Sequence, residues 1–498
     1  MSNLLIDGLK KEENRTFTEN GCEAIKSTSN SLVDLFGSIG ALRSRTDGEI
    51  ERLFSMAFAE DKLLATKMSF YSRDIREGGQ GERNTPKVIW KFLAKNYPEI
   101  VKKNIENIAY FGRFDDLYCL VGTPVEKDMW NFVQKQVISD IKNMKANKPI
   151  SLSAKWLKSC NASSAETIKL GKLTAKNLGL SIPEYRHVLS ALRAYINVTE
   201  INMSSNKWTD INYEQVPSKA MNIYRKAFSR HDLDGFSDYM GKVTKGEAKI
   251  NASTLFPYDI TEKYLGMAMM WGGNLRSYSD SLDPVLEAQW NALPNYVEGE
   301  NNILVMADVS GSMSGRPMAT SIGLATYFAE RNKGAFQNLF MSFSNKPQLV
   351  ELKGASLYEK IENVIKTHWD NNTNLEAAFD KVLTTALKNN VPYEQMPKAI
   401  IVISDMEIDV CSDMRHWTFY DKMKAKFNSA GYEIPNIVFW NVSSRHDVFH
   451  AQSDYKGVQL ASGQSASTFK SILECMGYSP YEAMVKVLNS EAYNRVTV

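Results

Sequence analysis

Asp308, Ser310 and Ser312 follow an apolar run, Ile303–Ala307, that is typical of a buried strand. An aspartate followed by hydroxyls at alternate positions places one carboxylate and two hydroxyl oxygens around a single point of the loop. Hard oxygen ligands with room for water suit Mg²⁺, which prefers octahedral oxygen coordination. The pattern alone is not specific, because Ser and Asp are also common turn and helix-cap residues.

Two later segments support the metal interpretation. The apolar run Ala399–Ser404 predicts a second buried strand, which also ends on an aspartate, Asp405, with Glu407 close behind. Between the strands, Thr373 lies in a polar loop (370–375) that opens an apolar-periodic helix. Because ligands gather beyond the carboxyl ends of parallel strands, we predict a site for Mg²⁺ or another divalent cation. Its predicted ligands are Asp308, Ser310, Ser312, Thr373 and Asp405. The alternative is a set of Asp and Ser helix caps that bind no metal.

The surrounding elements change character near residue 295. Beyond it, strand-like runs alternate with helices, which is typical of a doubly wound, Rossmann-like, mostly parallel sheet. Residues 31–295 instead predict many helices with short connections, an irregular HEAT-like array of helix pairs. Residues 1–30 are polar and weakly periodic, so we expect a loose arm. The expected fold class is multidomain, α plus α/β, with segments 1–30, 31–295 and 296–498.

The amino-acid composition indicates the cellular compartment. The five cysteines are scattered and form no Cys-x-x-Cys pair, which argues against a disulfide framework and indicates a reducing, intracellular and cytoplasmic setting. No stretch approaches the roughly 20 apolar residues of a membrane span. The N-terminus lacks the basic region and apolar core of a signal peptide. We therefore expect no membrane partner.

The small net charge of +2 hides an asymmetry along the chain. Residues 51–250 contain 32 lysines and arginines against 22 aspartates and glutamates, and the rest of the chain is acidic. Localised positive charge is typical of a protein that binds a polyanion, and it also occurs on plain solvated helices. Lys169, Lys172 and Lys176 are spaced by three and four, so they share one helix face.

The candidate RNA-binding side chains are cations of residues 151–200 and arginines around the Gly-rich turn 78–81. They are Arg73, Arg76, Arg83, Lys155, Lys158, Lys169, Lys172, Lys176, Arg186 and Arg193. The turn lacks the Lys-Ser/Thr of a nucleotide-binding P-loop. An alternative role for its arginines is pairing with nearby acids, among them Asp115 and Asp116, to brace helix joints. For the lysines the alternative is a solvated face, and both alternatives stay open.

The metal motif and several helical segments carry a family resemblance. The motif resembles the metal-ion-dependent adhesion site of von Willebrand factor A domains. Most of the chain resembles the TROVE proteins, the Ro autoantigen family, through residues 71–83, 110–117, 152–157, 185–193, 208–217, 404–406 and 434–441. That resemblance implies a ring of helical repeats closed by a von Willebrand factor A domain, which binds structured or misfolded small RNA without catalysis. The family's metal residues carry over onto Asp308, Ser310, Ser312, Thr373 and Asp405, whereas its RNA contacts do not carry over one by one.

Three functions compete on this basis. The first is a non-catalytic RNA-binding scaffold, a ribonucleoprotein component. The second is an interaction or particle-assembly module without RNA, in which an acidic side chain of a protein partner completes the Mg²⁺ octahedron. The third, Mg²⁺-dependent phosphoryl transfer, is disfavoured because the second aspartate of a phosphatase layout is replaced by Ser310. The basic excess favours the RNA scaffold, since a protein adaptor does not need it.

Overall fold

The computed structural model describes residues 3–265, 281–299, 301–367, 372–410 and 418–498. It divides into two compact units. The first contains Met1–Leu64 and Ala252–Ser490, and the second contains Ala65–Asn251 and Glu491–Val498. These units do not coincide with the predicted segments 1–30, 31–295 and 296–498, because parts of the chain remote in sequence pack together in each of them.

The described helices fall into three consecutive groups along the chain. The first group is α1 Leu4–Asn14, α2 Ser31–Phe36 and α3 Asp47–Glu60. The second is α4 Lys62–Arg73, α5 Asn84–Asn96, α6 Pro98–Phe111, α7 Glu126–Lys145, α8 Ser153–Trp156, α9 Ala165–Asn177, α10 Ile182–Tyr195, α11 Thr199–Ser204, α12 Ser218–His231 and α13 Leu233–Thr244. The third is α14 Pro257–Leu265, α15 Pro284–Asn291, α16 Arg316–Arg331, α17 Leu357–Lys366, α18 Leu375–Lys388, α19 Phe419–Ser429, α20 Thr468–Glu474 and α21 Pro480–Leu488.

The first unit is organised around a six-stranded sheet. The described strands are β1 Arg15–Phe17, β2 Glu23–Ile25, β3 Ile303–Ala307, β4 Leu339–Ser342, β5 Leu349–Glu351, β6 Ala399–Ser404, β7 Asn436–Asn441 and β8 Val458–Ser462. The sheet has the order β5-β4-β3-β6-β7-β8, and all its neighbours are parallel except β4 and β5. Strands β3 and β6 are buried along their whole length, as expected for a sheet covered on both faces. The prediction of a mostly parallel sheet in the C-terminal part is confirmed.

Helix α14 belongs with the sheet although it precedes the predicted α/β segment. All residues of α16 from 318 to 329 are buried, so this helix needs apolar cover on every side. Helix α14 supplies part of that cover at very short range. A Cβ atom at Gly323 would stand 2.9 Å from Thr261 Oγ1, and the Thr261 hydroxyl donates to the Ala319 carbonyl at 3.3 Å. The close approach explains why residues after 252 group with the sheet.

Residues 3–30, expected to form a loose arm, contain a helix and two strands. Strands β1 and β2 form an antiparallel pair, and the Ile25 N–H donates to the Phe449 carbonyl at 3.1 Å. Further along, the Gly40 N–H donates to Ser462 Oγ at 3.0 Å, and a Cβ atom at Gly40 would stand 2.8 Å from the Ser462 carbonyl oxygen. Only glycine permits this contact with the end of β8, so residues before 64 are part of the sheet unit.

The second unit is helical, which confirms the prediction of a helical part before the sheet. Consecutive helices pack on one another, α5 on α6, α6 on α7 and α12 on α13. The C-terminal residues return to this unit: the Tyr493 ring stacks on Phe111, and its hydroxyl donates to Asp74 Oδ2 at 2.9 Å. Among the described residues, none of the helices combines the length and the apolar character that crossing a membrane requires.

Candidate metal site and basic helix face

Asp308 follows β3 at the point where the strand order reverses, between β3 and β6. In parallel sheets this crevice is where ligands bind. The Asp308 side chain is fully buried, with each carboxylate oxygen in a hydrogen bond. Oδ1 accepts the Ser310 N–H at 2.8 Å, and Oδ2 accepts the Ser404 hydroxyl at 2.6 Å. These bonds hold the carboxylate in one orientation.

The two hydroxyls of the motif lie beside one another. Ser310 Oγ and Ser312 Oγ are 3.1 Å apart, across the short 3₁₀ turn Gly311–Met313. Ser310 is buried, whereas Ser312 is exposed. The oxygens of the motif therefore run from a buried carboxylate to the solvent, and a cation could enter from the Ser312 side.

Asp405 follows β6 and brings a second buried carboxylate to the same crevice. Its Oδ1 accepts the Glu407 N–H at 3.1 Å, and its Oδ2 accepts the Arg445 guanidinium at 2.9 Å. Burial, and after it the negative charge of Asp405, raise the pKa of Asp308 to about 7. The two carboxylates therefore repel one another, and a divalent cation between them would offset this repulsion and favour the ionised form of Asp308.

Thr373 is hydrogen-bonded to the loop that carries Asp405. Its N–H donates to Asp409 Oδ2 at 2.9 Å, and the Asp409 N–H donates to the Thr373 carbonyl at 3.0 Å. This reciprocal pair places Thr373 next to the loop after β6, while residues 370 and 371 of the predicted polar loop lie outside the described residues. The donor set is made of carboxylate and hydroxyl oxygens, and these fit Mg²⁺ by chemistry.

Two residues of this site escape prediction from sequence alone. Ser404 is the last residue of β6, and the β3–β6 register pairs its neighbour Ile403 with Ala307. A known register would therefore have indicated Ser404 as the partner of Asp308. Arg445, which binds Asp405, stands in a loop after β7 and has no local signal that points to it.

The buried His450 side chain contacts the loop after β6. Its Nε2 lies 2.9 Å from the Met406 carbonyl oxygen, and its ring packs against Phe419 and Phe439. Met406 has a positive φ of 68°, a conformation that a non-glycine residue keeps only when its surroundings hold it. Burial of the imidazole lowers its pKa from 6.5 to about 4.

Between pH 6.5 and 4, stability is expected to fall on acidification because of His450. In that range the unfolded chain takes up a proton at this residue and the folded protein does not, which lowers the free energy of unfolding by about 1.4 kcal/mol per pH unit. The variant His450→Gln keeps an N–H donor and cannot titrate. Urea unfolding at pH 7 and pH 5 should show that the wild type loses about 2 kcal/mol more than the variant. Equal losses would contradict this role.

The predicted RNA-binding cations are placed in two different environments. Arg73 is buried and pairs with Asp116, Lys158 pairs with Asp115 at 3.5 Å, and the Arg193 guanidinium donates to three oxygens of the 154–159 segment. These three side chains are engaged inside the helical unit. For Arg73, the bracing role suggested by its neighbouring acids describes the observed contacts.

The remaining predicted cations are more open to solvent. Arg76, Arg83 and Arg186 are exposed, Lys155 is half-buried beside the Trp156 ring, and Arg76 also donates to the Tyr110 carbonyl. Lys169, Lys172 and Lys176 lie on α9 as their spacing predicts, and all three are exposed. Within the part of the chain that the structure describes, no acidic side chain pairs with these three lysines.

Family models cover nearly the whole chain. The model described as domain of unknown function DUF2828 matches residues 18–155 and 161–302, which is more than half of the sequence. The model described as domain of unknown function DUF7788 matches residues 302–495. The boundary between the two matches falls at the start of β3. The TROVE family is not among the families that match.

The individual proteins that resemble this chain include one from a virus and one from a bacterium. The uncharacterized protein L728 of Acanthamoeba polyphaga mimivirus is 26% identical over 524 aligned residues, which cover 97% of this chain and 89% of that protein. The crystal structure of the Ro (RSR) protein of Deinococcus radiodurans has a TM-score of 0.44 and 12% identity, and the match covers 94% of this chain and 100% of that one. A likeness of that size does not establish a shared fold.

Proposed function

The chain belongs to the family of the domain of unknown function DUF2828, and since that description assigns no activity, we infer the function from the side chains. We propose a non-catalytic RNA-binding scaffold that also holds a divalent cation, Mg²⁺ by preference, on its sheet unit. The observation that carries the proposal is the row of three exposed lysines on α9 that no described acidic side chain pairs with.

The α9 face is electrostatically unfavourable without a partner. Lys169, Lys172 and Lys176 stand one helical turn apart, where like charges destabilise a helix by a few tenths of a kcal/mol per pair. A chain of phosphates would turn this repulsion into attraction. RNA is the polyanion that the resemblance of the sequence to TROVE proteins implies.

Helix α10 extends the basic face. Burial raises the pKa of the Cys160 thiol, while the positive charges of Lys172 and Arg186 act in the opposite direction. Lys172 on α9 and Arg186 on α10 therefore both lie near Cys160, and neither has an acidic partner among the described residues. Cations from two helices that converge on one place suit a backbone with phosphates on successive nucleotides.

Among the described residues of the sheet unit, no histidine hydrogen-bonds to Ser310. Ser310 Oγ lies beside Ser312 Oγ, and the two described histidines of this unit hydrogen-bond elsewhere, His446 to Glu407 and His450 to Met406. A serine without a base is a weak nucleophile. The arrangement is therefore better suited to binding than to acyl transfer.

Binding of a structured RNA with a single-stranded end tests the scaffold. The protein is purified at low salt, co-purifying nucleic acid is extracted, and RNA affinity is then measured by fluorescence anisotropy across a salt series. We expect tight binding whose logarithm falls linearly and steeply with the logarithm of salt concentration. No binding at low salt would contradict the proposal.

A second candidate is Mg²⁺-dependent docking of a partner's acidic side chain. It is favoured by the exposure of Ser312 beside the buried carboxylates, which leaves room for an outside ligand on a bound cation. Asp308, Ser310, Ser312, Thr373 and Asp405 are the residues that would hold the ion, directly or through water. The ion would supply a strong positive charge for the incoming carboxylate.

Asp308→Asn is expected to abolish stabilisation by Mg²⁺. Saturating Mg²⁺ at about 100 times its Kd should stabilise the wild type by about 2.7 kcal/mol, measured as a rise in Tm after chelator treatment. The variant should not respond. Without Mg²⁺ it should be no less stable than the wild type, because a neutral amide removes the repulsion with Asp405.

Asp34→Asn is the matched control for this experiment. Asp34 is a buried carboxylate of the same unit, with its oxygens held by Ser27 and Thr28. Its substitution should leave the Mg²⁺ response intact. If Asp308→Asn and Asp34→Asn respond to Mg²⁺ alike, the ion is not bound at Asp308.

A further inference from the structure

A second group of potential metal ligands lies outside the Asp308 site. Glu19, Glu407 and His446, here called the Glu19 cluster, each offer one ligand atom, and these atoms lie within 4.8 Å of one another. His446 Nδ1 is 3.0 Å from Glu407 Oε1 and 3.4 Å from Glu19 Oε1. The three residues come from segments remote in sequence: the turn after β1, the loop after β6 and the loop after β7.

Glu407 lacks the charge compensation that some other buried carboxylates of the chain have. Glu407 is 1% exposed, yet among the described residues no lysine or arginine pairs with it. By contrast, buried Asp116 has Arg73 and Lys87, and buried Glu376 has Lys422 and Lys426. An ionised carboxylate removed from water requires a paired cation or a metal. Within the described ranges, the basic side chain that contacts Glu407 is the His446 imidazole, and a second carboxylate, Glu19, adds negative charge.

The ligand atoms are also available for coordination. The Arg445 guanidinium pairs with Glu19 Oε2 at 2.7 Å and with Asp405 Oδ2 at 2.9 Å. The other oxygen of Glu19, Oε1, is directed at His446. The His446 and Glu19 side chains are 54% and 40% exposed, which leaves an entry path from solvent. A cation here would share no ligand with the Asp308 site.

We propose that Glu19, Glu407 and His446 form a second metal site that takes a transition-metal cation of the zinc class. One imidazole nitrogen with two carboxylates suits Zn²⁺ better than Mg²⁺, which prefers oxygen ligands and keeps its waters. Three protein ligands leave a fourth, tetrahedral position for water on the exposed side.

The bound cation fastens the N-terminal segment to the loop that carries Asp405. Hydrogen bonds already join the two: Thr18 Oγ1 donates to the Ile408 carbonyl at 2.6 Å, and the Asn20 side-chain amide donates to the Glu407 carbonyl at 2.7 Å. The Glu19 N–H donates to Glu407 Oε2 at 2.7 Å. A metal at the Glu19 cluster would be bound by Glu19 of the N-terminal segment and by Glu407 of the loop after β6. The shared ion would thereby stabilise the loop beside the Asp308 site.

Zinc binding by the full-length chain tests the site. The protein is stripped with a chelator and kept in excess Mg²⁺, so that the oxygen site does not take up zinc. Zn²⁺ binding is then followed by equilibrium dialysis with elemental analysis, and Co²⁺ is used as a visible-absorption probe of nitrogen and oxygen coordination. The variants are His446→Gln and Glu19→Gln, whose exposed side chains can be changed without affecting the core. His187→Gln, an exposed histidine of the helical unit, and Asp308→Asn are the controls.

We expect about one Zn²⁺ per chain in the wild type and in both controls, and at least about tenfold weaker binding in His446→Gln and Glu19→Gln. Unchanged zinc affinity in these two variants would overturn the proposal. So would loss of zinc in Asp308→Asn, which would assign it to the oxygen site. Absence of zinc binding in the wild type would also overturn it. Unfolding curves without metal verify that every variant is folded.

Discussion

Reversing Lys169, Lys172 and Lys176 to Glu is expected to weaken RNA binding at least about a hundredfold at low salt. Three attractive contacts with phosphate become three repulsive ones, and a hundredfold loss corresponds to about 2.7 kcal/mol of binding free energy. The lysines are exposed on α9 and have no acidic partner among the described residues, so the substitution leaves the packing of the helix unchanged. The three glutamates repel one another about as strongly as the three lysines did. The free energy of unfolding should therefore be nearly unchanged.

The salt dependence separates loss of these contacts from unfolding. If the three lysines meet phosphates of a single strand, the slope of log affinity against log salt should become shallower by about 2. The matched control reverses Lys142, Lys145 and Lys148, which are also exposed lysines of the helical unit and undergo the same change of charge. Affinities of the two triple variants within about twofold of each other would mean that RNA senses only the net charge, and that α9 is not its binding face.

Arg73→Met is expected to destabilise the protein by about 3 kcal/mol or more. Arg73 is 2% exposed, and its Nε lies 2.7 Å from Asp116 Oδ2. Burial alone would raise the pKa of Asp116, but the charges of Arg73 and Lys87 hold it below its ordinary value. Removing the guanidinium leaves a buried carboxylate with Lys87 alone, and breaking a buried pair in this way typically costs about 3–5 kcal/mol.

Arg83→Met is the matched control, since Arg83 belongs to the same predicted group but is exposed. Its substitution should change the free energy of unfolding by no more than about 0.5 kcal/mol, measured by urea unfolding. RNA affinity of both variants, measured where both are folded, then tests the two roles. If Arg73→Met is as stable as Arg83→Met and binds RNA more weakly, Arg73 contacts RNA and does not brace the helices.

Only part of the site could be predicted from the sequence. The predicted residues belong to local patterns, whereas the missed residues come from segments far away in the chain. The motif Asp308-x-Ser-x-Ser, the strands that precede Asp308 and Asp405, and the spacing of the α9 lysines are local patterns of apolar runs and helical periods. Ser404 becomes visible only when the register of β3 and β6 is known. Arg445 contacts Asp405, and Glu19 contacts Glu407, from loops that no periodicity connects with the loop after β6.

By itself, then, the sequence determined the alternation of strands and helices, the oxygen-rich loop after β3 and the basic character of residues 51–250, because these depend on residues close together in the chain. The tertiary structure alone decided that residues 3–64 and 252–265 belong to the same unit as the sheet, that Arg73 is buried while the α9 lysines are exposed, and that Glu19 contacts Glu407 and His446. The bond from Thr18 to Ile408 spans 390 residues, and contacts of that kind depend on how remote surfaces fit one another. Such complementarity leaves no pattern in the local sequence.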